Sequence, residues 1–239
     1  MKSSGLDMKK VRAIFVSHEH GDHIKGVSTL ANKYQLPVYI TELTAKHGPI
    51  LIRHLSKQFR ANENISIGNL IITPFTKYHD ANDPHSFTIS CEEVTVGVFT
   101  DIGRTCDQLV YHFKKCHAAF LESNYDEEML ENGRYPVHLK NRIRGGHGHL
   151  SNREALELFV NHRPAFMSHL LLSHLSKENN SPELAAGLFT KHAGNTAIIV
   201  ASRYQATDVY NITASKGLQA DAVSSRPMRM KPMQLGLFE

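Results

Sequence analysis

The feature that most constrains this chain is a cluster of potential metal ligands at residues 17–23, which read SHEHGDH. A β-branched apolar run at residues 11–16 favours a buried strand before the cluster, and apolar residues at helical spacing follow it over residues 27–34. The ligand-type residues are His18, His20, Asp22 and His23. Such a loop can direct its first two ligands to one point and its last two to a neighbouring point. Nitrogen and carboxylate ligands together suit zinc or manganese. The sequence therefore predicts the start of two metal sites, in preference to a histidine-rich surface turn.

Three further ligand-type residues follow predicted strands later in the chain. They are His79, Asp101 and His174. A hairpin with a Gly-Asn turn at residues 65–72 precedes His79. A strand of alternating apolar residues at 94–100 precedes Asp101, and an apolar strand at 165–173 precedes His174. His169 lies inside this last run, where a core histidine is expected. The pattern predicts an α/β fold in which strand ends deliver the ligands to one edge of a sheet.

The order of these ligands resembles the H-x-H-x-D-H signature and the downstream ligands of the metallo-β-lactamase superfamily. The resemblance implies an αββα sandwich and two divalent ions, zinc or manganese, about 3.5–4 Å apart. One ion would take His18, His20 and His79, the other Asp22, His23 and His174, and Asp101 would bridge both. A hydroxide held between the ions would attack the substrate phosphate, and Asp22 would also take part in catalysis.

Several stretches beyond the ligands are similar to the YycJ/WalJ-type branch of this superfamily, whose members are DNA exonucleases that act from a 5′ end. They are residues 18–26, 79–81, 121–130, 133–136, 148–152 and 173–176. The branch has histidine where this chain has Tyr125. The resemblance implies a DNA substrate and a 5′-to-3′ exonuclease in replication-linked mismatch repair. Two alternatives stay open: a small-molecule hydrolase of thioesters or lactams, and a clamp-tethered binding module without catalysis.

The sequence GHLSN at residues 148–152 predicts a helix that begins beside the site. Ser151 and Glu154 form a capping-box pattern, and a helix N-terminus favours phosphate. His149 is therefore a candidate catalytic donor to the scissile phosphate or the leaving oxygen. The buried face of the helix would be Leu156, Phe159 and Val160. Candidate substrate-binding residues are Asn124, Arg144, Ser151 and Asn152. For Arg144 a solvated basic surface is the alternative, and Glu122 is expected to line the site without an assigned role.

Composition is consistent with a cytoplasmic enzyme but does not identify its substrate. The 239 residues suit one α/β domain, and a net charge of +4 with a pI near 8.9 permits nucleic-acid binding. The sequence contains neither an apolar run of membrane-spanning length nor a signal-peptide pattern. Its three cysteines form no C-x-x-C pair, which favours reduced thiols. Only about ten residues precede the first predicted strand, so the fold is expected to be N-terminally incomplete.

The C-terminal part of the chain changes in composition. The catalytic domain is assigned to residues 1–213 and ends with predicted strands at 196–202 and 209–213. Residues 214–239 are small, polar and proline-containing, and predict a flexible linker and tail. The tail contains QLGLF at residues 234–238, which resembles the peptide by which bacterial repair proteins bind the sliding clamp. Its proposed clamp-binding residues are Gln234, Leu235, Leu237 and Phe238. The alternative is a terminal strand packed against the core.

Overall fold

The computed structural model describes residues 5–49 and 52–214, and the fold given below is that of these two ranges. A 3₁₀ turn at Met8–Lys10 precedes the first strand. The strands are β1 Ile14–Phe15, β2 Val38–Tyr39, β3 Ser56–Lys57, β4 Ile65–Ile67, β5 Leu70–Thr76, β6 His85–Cys91, β7 Val94–Phe99, β8 Ala118–Glu122, β9 His169–Ser173 and β10 Ala197–Val200. The helices are α1 Gly21–Ile24, α2 Val27–Tyr34, α3 Glu42–His47, α4 Asp107–Phe113, α5 Glu127–Asn132, α6 Val137–Arg144, α7 Asn152–His162 and α8 Pro182–Thr190.

Seven strands form one mixed sheet in the order β10-β9-β8-β7-β6-β5-β4. Strands β7 to β10 pair in parallel, and β4 to β7 pair antiparallel. The predicted hairpin is confirmed, because Ile65 pairs with Ile72 across the turn. Gly68 has φ 60° there, as expected for a hairpin turn with glycine at its first central position. The parallel half of the sheet brings the carboxyl ends of β7, β8 and β9 to one edge.

Strands β1, β2 and β3 form a second, parallel sheet. The strand predicted at residues 11–16 is confined to two residues, because β2 offers only two partners. Ile14 packs in an apolar cluster with the helix α2, whereas the ring of Phe15 stacks on Tyr39 at 4.6 Å. Successive side chains of β1 therefore face a helix on one side and the large sheet on the other.

Apolar clusters between four layers form the core. Val27 and Ala31 of α2 pack against Val38 of the small sheet. The ring of Phe15 meets the edge of Phe87 from the large sheet at 5.7 Å, which joins the two sheets. The outer face of the large sheet packs against α4, α7 and α8, where five fully buried rings belong to Phe75, Phe99, Phe113, Phe159 and Phe189. Burying each such ring contributes about 1.5–3 kcal/mol. The order helix, sheet, sheet, helix is the predicted αββα sandwich.

Three predicted strands differ in the structure. The strand predicted at 165–173 begins only at His169, because a turn bonds the amide of residue 167 to the carbonyl of residue 164. The strand predicted at 196–202 is limited to Ala197–Val200, the length over which it pairs with β9. Residues 209–213 form no strand, since neither sheet of the described ranges extends to them. Alternating apolar residues there do not bury a face of a sheet.

Helix α7 begins as predicted. Ser151 accepts a hydrogen bond from the amide of Glu154, and the Glu154 carboxylate accepts one from the amide of Ser151, which completes the capping box. Val160, predicted to be buried, is 47% exposed, and Ala155 and Leu158 are buried in its place. The face that packs on the sheet is therefore rotated relative to the predicted one, although Phe159 lies on it as expected.

Within the described ranges, each helix is too short or too polar to cross a membrane. Residues 1–4 and 215–239 lie outside the described residues. The linker and the clamp-like peptide at 234–238 belong to the second of these segments, so both stay predictions.

Candidate metal centre

The ligand cluster lies where β1 ends and α1 begins, as predicted: His18 and His20 precede α1, and Asp22 and His23 belong to it. Val16 before the cluster and Ile24 at the end of α1 are buried in one apolar cluster, which anchors both ends of this segment. Ser17 Oγ lies 3.0 Å from His18 Nδ1 and 3.4 Å from His23 Nδ1. Because each ring has its Nδ1 beside the serine, its Nε2 remains available to the interior of the site.

His18, His20 and His79 form the first ligand group. His20 Nδ1 lies 3.1 Å from His18 Nε2 and 3.2 Å from His79 Nε2. Zn–N bonds of about 2.0–2.1 Å at angles of about 90–109° place neighbouring ligand nitrogens about 2.9–3.4 Å apart. The three nitrogens therefore have the spacing of ligands to a single ion.

Two of these imidazoles are held in the neutral form that binds metal. Burial lowers the pKa of His18 to about 2, and the nearby cation of Lys77 lowers it further. Burial also lowers the pKa of His79 to about 4, again with help from Lys77. His79 Nδ1 lies 2.9 Å from the carbonyl oxygen of Gly148, so it must donate there. The tautomer is thereby fixed with Nε2 free for an ion.

Asp22, His23 and His174 form the second ligand group, with donor atoms within 4.8 Å of one another. His23 Nε2 lies 3.5 Å from Asp22 Oδ2. His174 comes directly after β9, and its Nδ1 contacts a carboxylate behind the site at 2.7 Å, which leaves Nε2 for the group. The carboxylate of Asp22 is 71% exposed, so this group is open to a ligand from outside.

Asp101 lies between the two groups. Its Oδ2 is 3.3 Å from His23 Nε2, and its Oδ1 is 3.4 Å from His174 Nε2 and 3.8 Å from His79 Nε2. The residue is buried, and no donor of the described residues points at Oδ2 in a hydrogen bond. A buried carboxylate oxygen without a donor costs free energy, which a cation would offset. The donor set therefore fits divalent ions on both sides of Asp101.

Glu122, at the end of β8, lies behind the ligands and joins two histidines. Its Oε1 accepts hydrogen bonds from His149 Nδ1 at 2.8 Å and from His174 Nδ1 at 2.7 Å. Its Oε2 accepts from the amides of Ile102 at 2.5 Å and Leu150 at 3.4 Å. Burial raises the pKa of this carboxyl, but the bonds from the two histidines outweigh burial and hold it below its usual value. Glu122 is therefore a buried anion that orients both rings.

Lys77, after the end of β5, is a second charged residue behind the ligands. Its side chain is buried, and Nζ donates to the carbonyl oxygen of Thr100 at 2.7 Å. Burial lowers the pKa of Lys77 to about 8, and the charges of Asp101 and Glu122 oppose this shift. Glu122 was expected to line the site without an assigned role, and Lys77 was not predicted to belong to it. The signal that could have identified Lys77 is a charged residue at the end of a buried strand, the same signal that identified Asp101 and Glu122.

The predicted substrate-binding residues all make hydrogen bonds or ion pairs within the protein. Asn124 Nδ2 donates to the carbonyl oxygen of His174 at 2.7 Å, so it supports a ligand. Arg144 is exposed and pairs with Glu131 at 2.6 Å. Substrate binding by Asn124 and Arg144 stays a prediction. In the structure, both side chains contact other residues of the protein.

Ser151 and Asn152 hold the loop that carries His149. Ser151 caps helix α7, and the amide of Asn152 donates to the carbonyl oxygen of Tyr125 at 2.8 Å. The Asn152 side chain is buried, and its Oδ1 accepts from Ser123 Oγ at 2.6 Å. Binding of substrate by these two side chains also stays a prediction. Their internal bonds fix His149 next to Glu122.

A cleft opens beside the ligands. Asp22, His149 and His174 belong to its lining. The lining also contains the aromatic and apolar residues Tyr135, Leu139 and Ile143 and the cations Arg142, Lys177 and Arg203. Asp80 holds Arg142 at 2.5 Å, and the carbonyl oxygen of Leu175 holds Arg203 at 2.7 Å. The arrangement suits a phosphate ester that carries a flat or apolar group.

Comparison with known proteins gives concordant results. The family model described as "Beta-lactamase superfamily domain" matches residues 2–174. The chain is 35% identical over 188 residues to exodeoxyribonuclease YycJ of Bacillus anthracis. The aligned region covers 77% of this chain and 71% of that protein. It is 34% identical over 179 residues to exodeoxyribonuclease WalJ of Streptococcus pneumoniae, which covers 72% of this chain and 66% of the relative.

Solved structures share the fold at low sequence identity. The metallo-β-lactamase fold protein YhfI of Bacillus subtilis has a TM-score of 0.63 at 17% identity, over 82% of this chain and 76% of that one. Zinc-bound PqqB of Methylobacterium extorquens has a TM-score of 0.60 at 14% identity, over 80% of this chain and 68% of that one. These likenesses concern the arrangement of strands and helices.

Proposed function

The chain belongs to the metallo-β-lactamase superfamily, and from this premise we propose that it is a two-metal exonuclease that hydrolyses phosphodiester bonds at the end of a DNA strand. The observation that carries the proposal is the convergence of two ligand groups on Asp101. The substrate class is supported by relatives named exodeoxyribonucleases at 34–35% identity.

The two ligand groups would each hold one divalent ion, zinc or manganese. His18, His20 and His79 would bind the first, and Asp22, His23 and His174 the second, while Asp101 would contact both. When bound, two such ions supply Lewis-acid activation of water and of the scissile phosphate. The carboxylate of Asp22 borders the cleft, so it can also accept a proton from the attacking water.

His149 would deliver a proton to the leaving oxygen of the DNA. Its Nδ1 donates to Glu122 Oε1, and its Nε2 makes no hydrogen bond within the described residues. Because Glu122 orients the ring through Nδ1, Nε2 is the atom that would carry the proton to be transferred. Since His149 lines the cleft next to Asp22 and His174, a phosphate held at the ligands would lie within its reach.

The cleft would bind the terminal part of a DNA strand. Arg142, Lys177 and Arg203 provide cations for backbone phosphates, and contacts of this kind position DNA without reading its sequence. The ring of Tyr135, which also lines the cleft, offers a surface for base stacking. We place the reaction in 5′-to-3′ degradation during replication-linked mismatch repair, with the peptide at 234–238 binding the sliding clamp.

Digestion of end-labelled DNA tests this function. The full-length protein, loaded with manganese or zinc, is incubated with duplexes labelled at the 5′ or the 3′ end, with closed circular DNA, and with thioester and lactam substrates. We expect early release of the 5′ label in a short product, later release of the 3′ label, and intact circles. Hydrolysis of thioester or lactam alone would identify a small-molecule hydrolase, and no hydrolysis of any substrate would identify a binding module.

A further inference from the structure

Lys77 is a buried cation that the proposed reaction does not use. Its side chain is 7% exposed, and within the described residues its ammonium forms no ion pair with a carboxylate. Burying a lysine without a close counter-ion is costly. The hydrogen bond that it does make, from Nζ to the carbonyl oxygen of Thr100, is therefore the contact that can explain its position.

The acceptor of this bond belongs to the peptide that precedes Asp101. Asp101 has φ 55°, a left-handed conformation that costs a residue other than glycine about 1–3 kcal/mol. The φ angle describes rotation about the bond that follows this peptide group. A donor that fixes the direction of the Thr100 carbonyl therefore also restrains the direction in which the Asp101 side chain leaves the backbone.

Two more bonds hold the same turn on its other side. The amide of Gly103 donates to the carbonyl oxygen of Tyr78 at 2.6 Å, and the amide of Ile102 donates to Glu122 Oε2 at 2.5 Å. Residues 77 and 78 therefore bond to the turn on both sides of Asp101. The Lys77 side chain bonds to Thr100 before it, and the backbone carbonyl of Tyr78 bonds to Gly103 after it. The carboxylates of Asp101 and Glu122 are the charges that oppose the effect of burial on Lys77.

We propose that Lys77 is a positioning residue that holds the Thr100 peptide and thereby directs the Asp101 carboxylate between the two ligand groups. This inference rests on the proposed two-metal centre. Within the described residues, Lys77 forms no hydrogen bond or ion pair with a proposed ligand side chain, and it does not line the cleft, so its effect would be on metal binding through Asp101.

Metal binding to Lys77 variants tests the proposal without reference to DNA. Lys77→Met keeps the length and removes the donor, whereas Lys77→Gln keeps a donor and removes the charge. Lys114→Met, at an exposed lysine, is the matched control. Titration of the metal-free full-length proteins with manganese and with zinc, in competition with a chromophoric chelator, gives stoichiometry and affinity. Thermal unfolding in excess chelator shows whether each variant is folded.

We expect Lys77→Met to fold and to bind its weaker ion about 10–100-fold less tightly, the range typical of losing an outer-sphere contact. Lys77→Gln should recover part of that loss, and Lys114→Met should equal the wild type. Two ions bound with wild-type affinity by folded Lys77→Met would overturn the proposal.

If Lys77→Met does not fold, the test is the comparison of Lys77→Arg with Lys77→Gln. Lys77→Arg keeps both the donor and the charge, so it must bind the weaker ion more tightly than Lys77→Gln, and equal affinities of the two variants would overturn the proposal. A wild-type protein that binds fewer than two ions would instead refute the two-metal centre.

Discussion

Two of the proposed metal ligands have a backbone conformation that residues with a side chain rarely adopt. Asp101 has φ 55° and His174 has φ 58°, and each comes just after a strand of the large sheet. Such residues cost about 1–3 kcal/mol each and persist where surrounding bonds hold them. The carbonyl of His174 accepts from Asn124 Nδ2, and its ring is held by Glu122. The local strain is therefore compensated by hydrogen bonds from neighbouring strand ends.

Replacing His149 should separate proton transfer from metal binding. We expect His149→Ala to lower kcat by about 10²–10⁴, the range for a lost acid–base or charge-stabilising group, with both ions retained. Single-turnover digestion of labelled duplex, with metal content measured on the same sample, gives both quantities. His192→Ala, at an exposed histidine after α8, is the control and should keep wild-type activity. Loss of metal from His149→Ala would show that His149 is a ligand.

At the scale of elements, the site depends on the contact between two loops at the sheet edge. The loop after β7 carries Asp101, and the loop between α6 and α7 carries His149. A Cβ atom on Gly103 would lie 2.5 Å from the carbonyl oxygen of Gly146 and from the Cα of His147. The loops approach this closely because glycine presents no side chain there. Asp101 and His149, the proposed ligand and proton donor, are thus brought together by backbone packing.

Gly103→Ala should disturb this contact. The added methyl group must displace backbone atoms, so we expect a loss of about 1–3 kcal/mol in the free energy of unfolding together with reduced turnover. Gly187→Ala is the matched control, because a Cβ at this position in α8 meets nothing within 4 Å. It should raise the free energy of unfolding by about 0.5–1 kcal/mol and leave turnover unchanged. Denaturant unfolding and DNA digestion measure the two effects. If Gly103→Ala changed neither the free energy of unfolding nor the turnover, the two loops would be able to separate freely.

The elements that were predictable are those with local signals. The Gly68 turn and the Ser151 cap are encoded by a few neighbouring residues, and both form as expected. The extent of β1 and of β10 was not predictable, because the number of paired residues depends on partner strands elsewhere in the chain. The apolar alternation at 209–213 was misleading for the same reason, since neither sheet in the described part of the chain extends to these residues.

At the scale of the whole molecule, the candidate ligands have clearer signals in the sequence than the residues behind them. His18, His20 and Asp22 lie in one short motif, and later ligands follow recognisable strands in a familiar order. Glu122 and Lys77 have no such motif, because their partners come from strands that only the folded sheet brings together. The hydrogen bonds made by the residues behind the candidate ligands are therefore the part of the centre that only a structure can reveal.

The peptide at 234–238 is expected to act through localisation. We predict that Leu237→Ala combined with Phe238→Ala abolishes binding to the bacterial sliding clamp, because apolar anchors dominate groove-bound peptides. Hydrolysis of short free DNA should stay at the wild-type rate. Surface plasmon resonance on immobilised clamp and digestion of a labelled oligonucleotide measure the two effects. A variant that still binds the clamp, or that loses hydrolysis of free DNA, would contradict clamp docking by this peptide.

The most direct measurement of the central claim is anomalous diffraction from crystals of the full-length protein grown with manganese, recorded on both sides of the manganese absorption edge. Two peaks about 3.5–4 Å apart are expected, as in other two-metal sites. One peak should lie among His18, His20 and His79 and the other among Asp22, His23 and His174, with Asp101 in contact with both. A single peak, or a second peak away from Asp101, would contradict the two-metal centre.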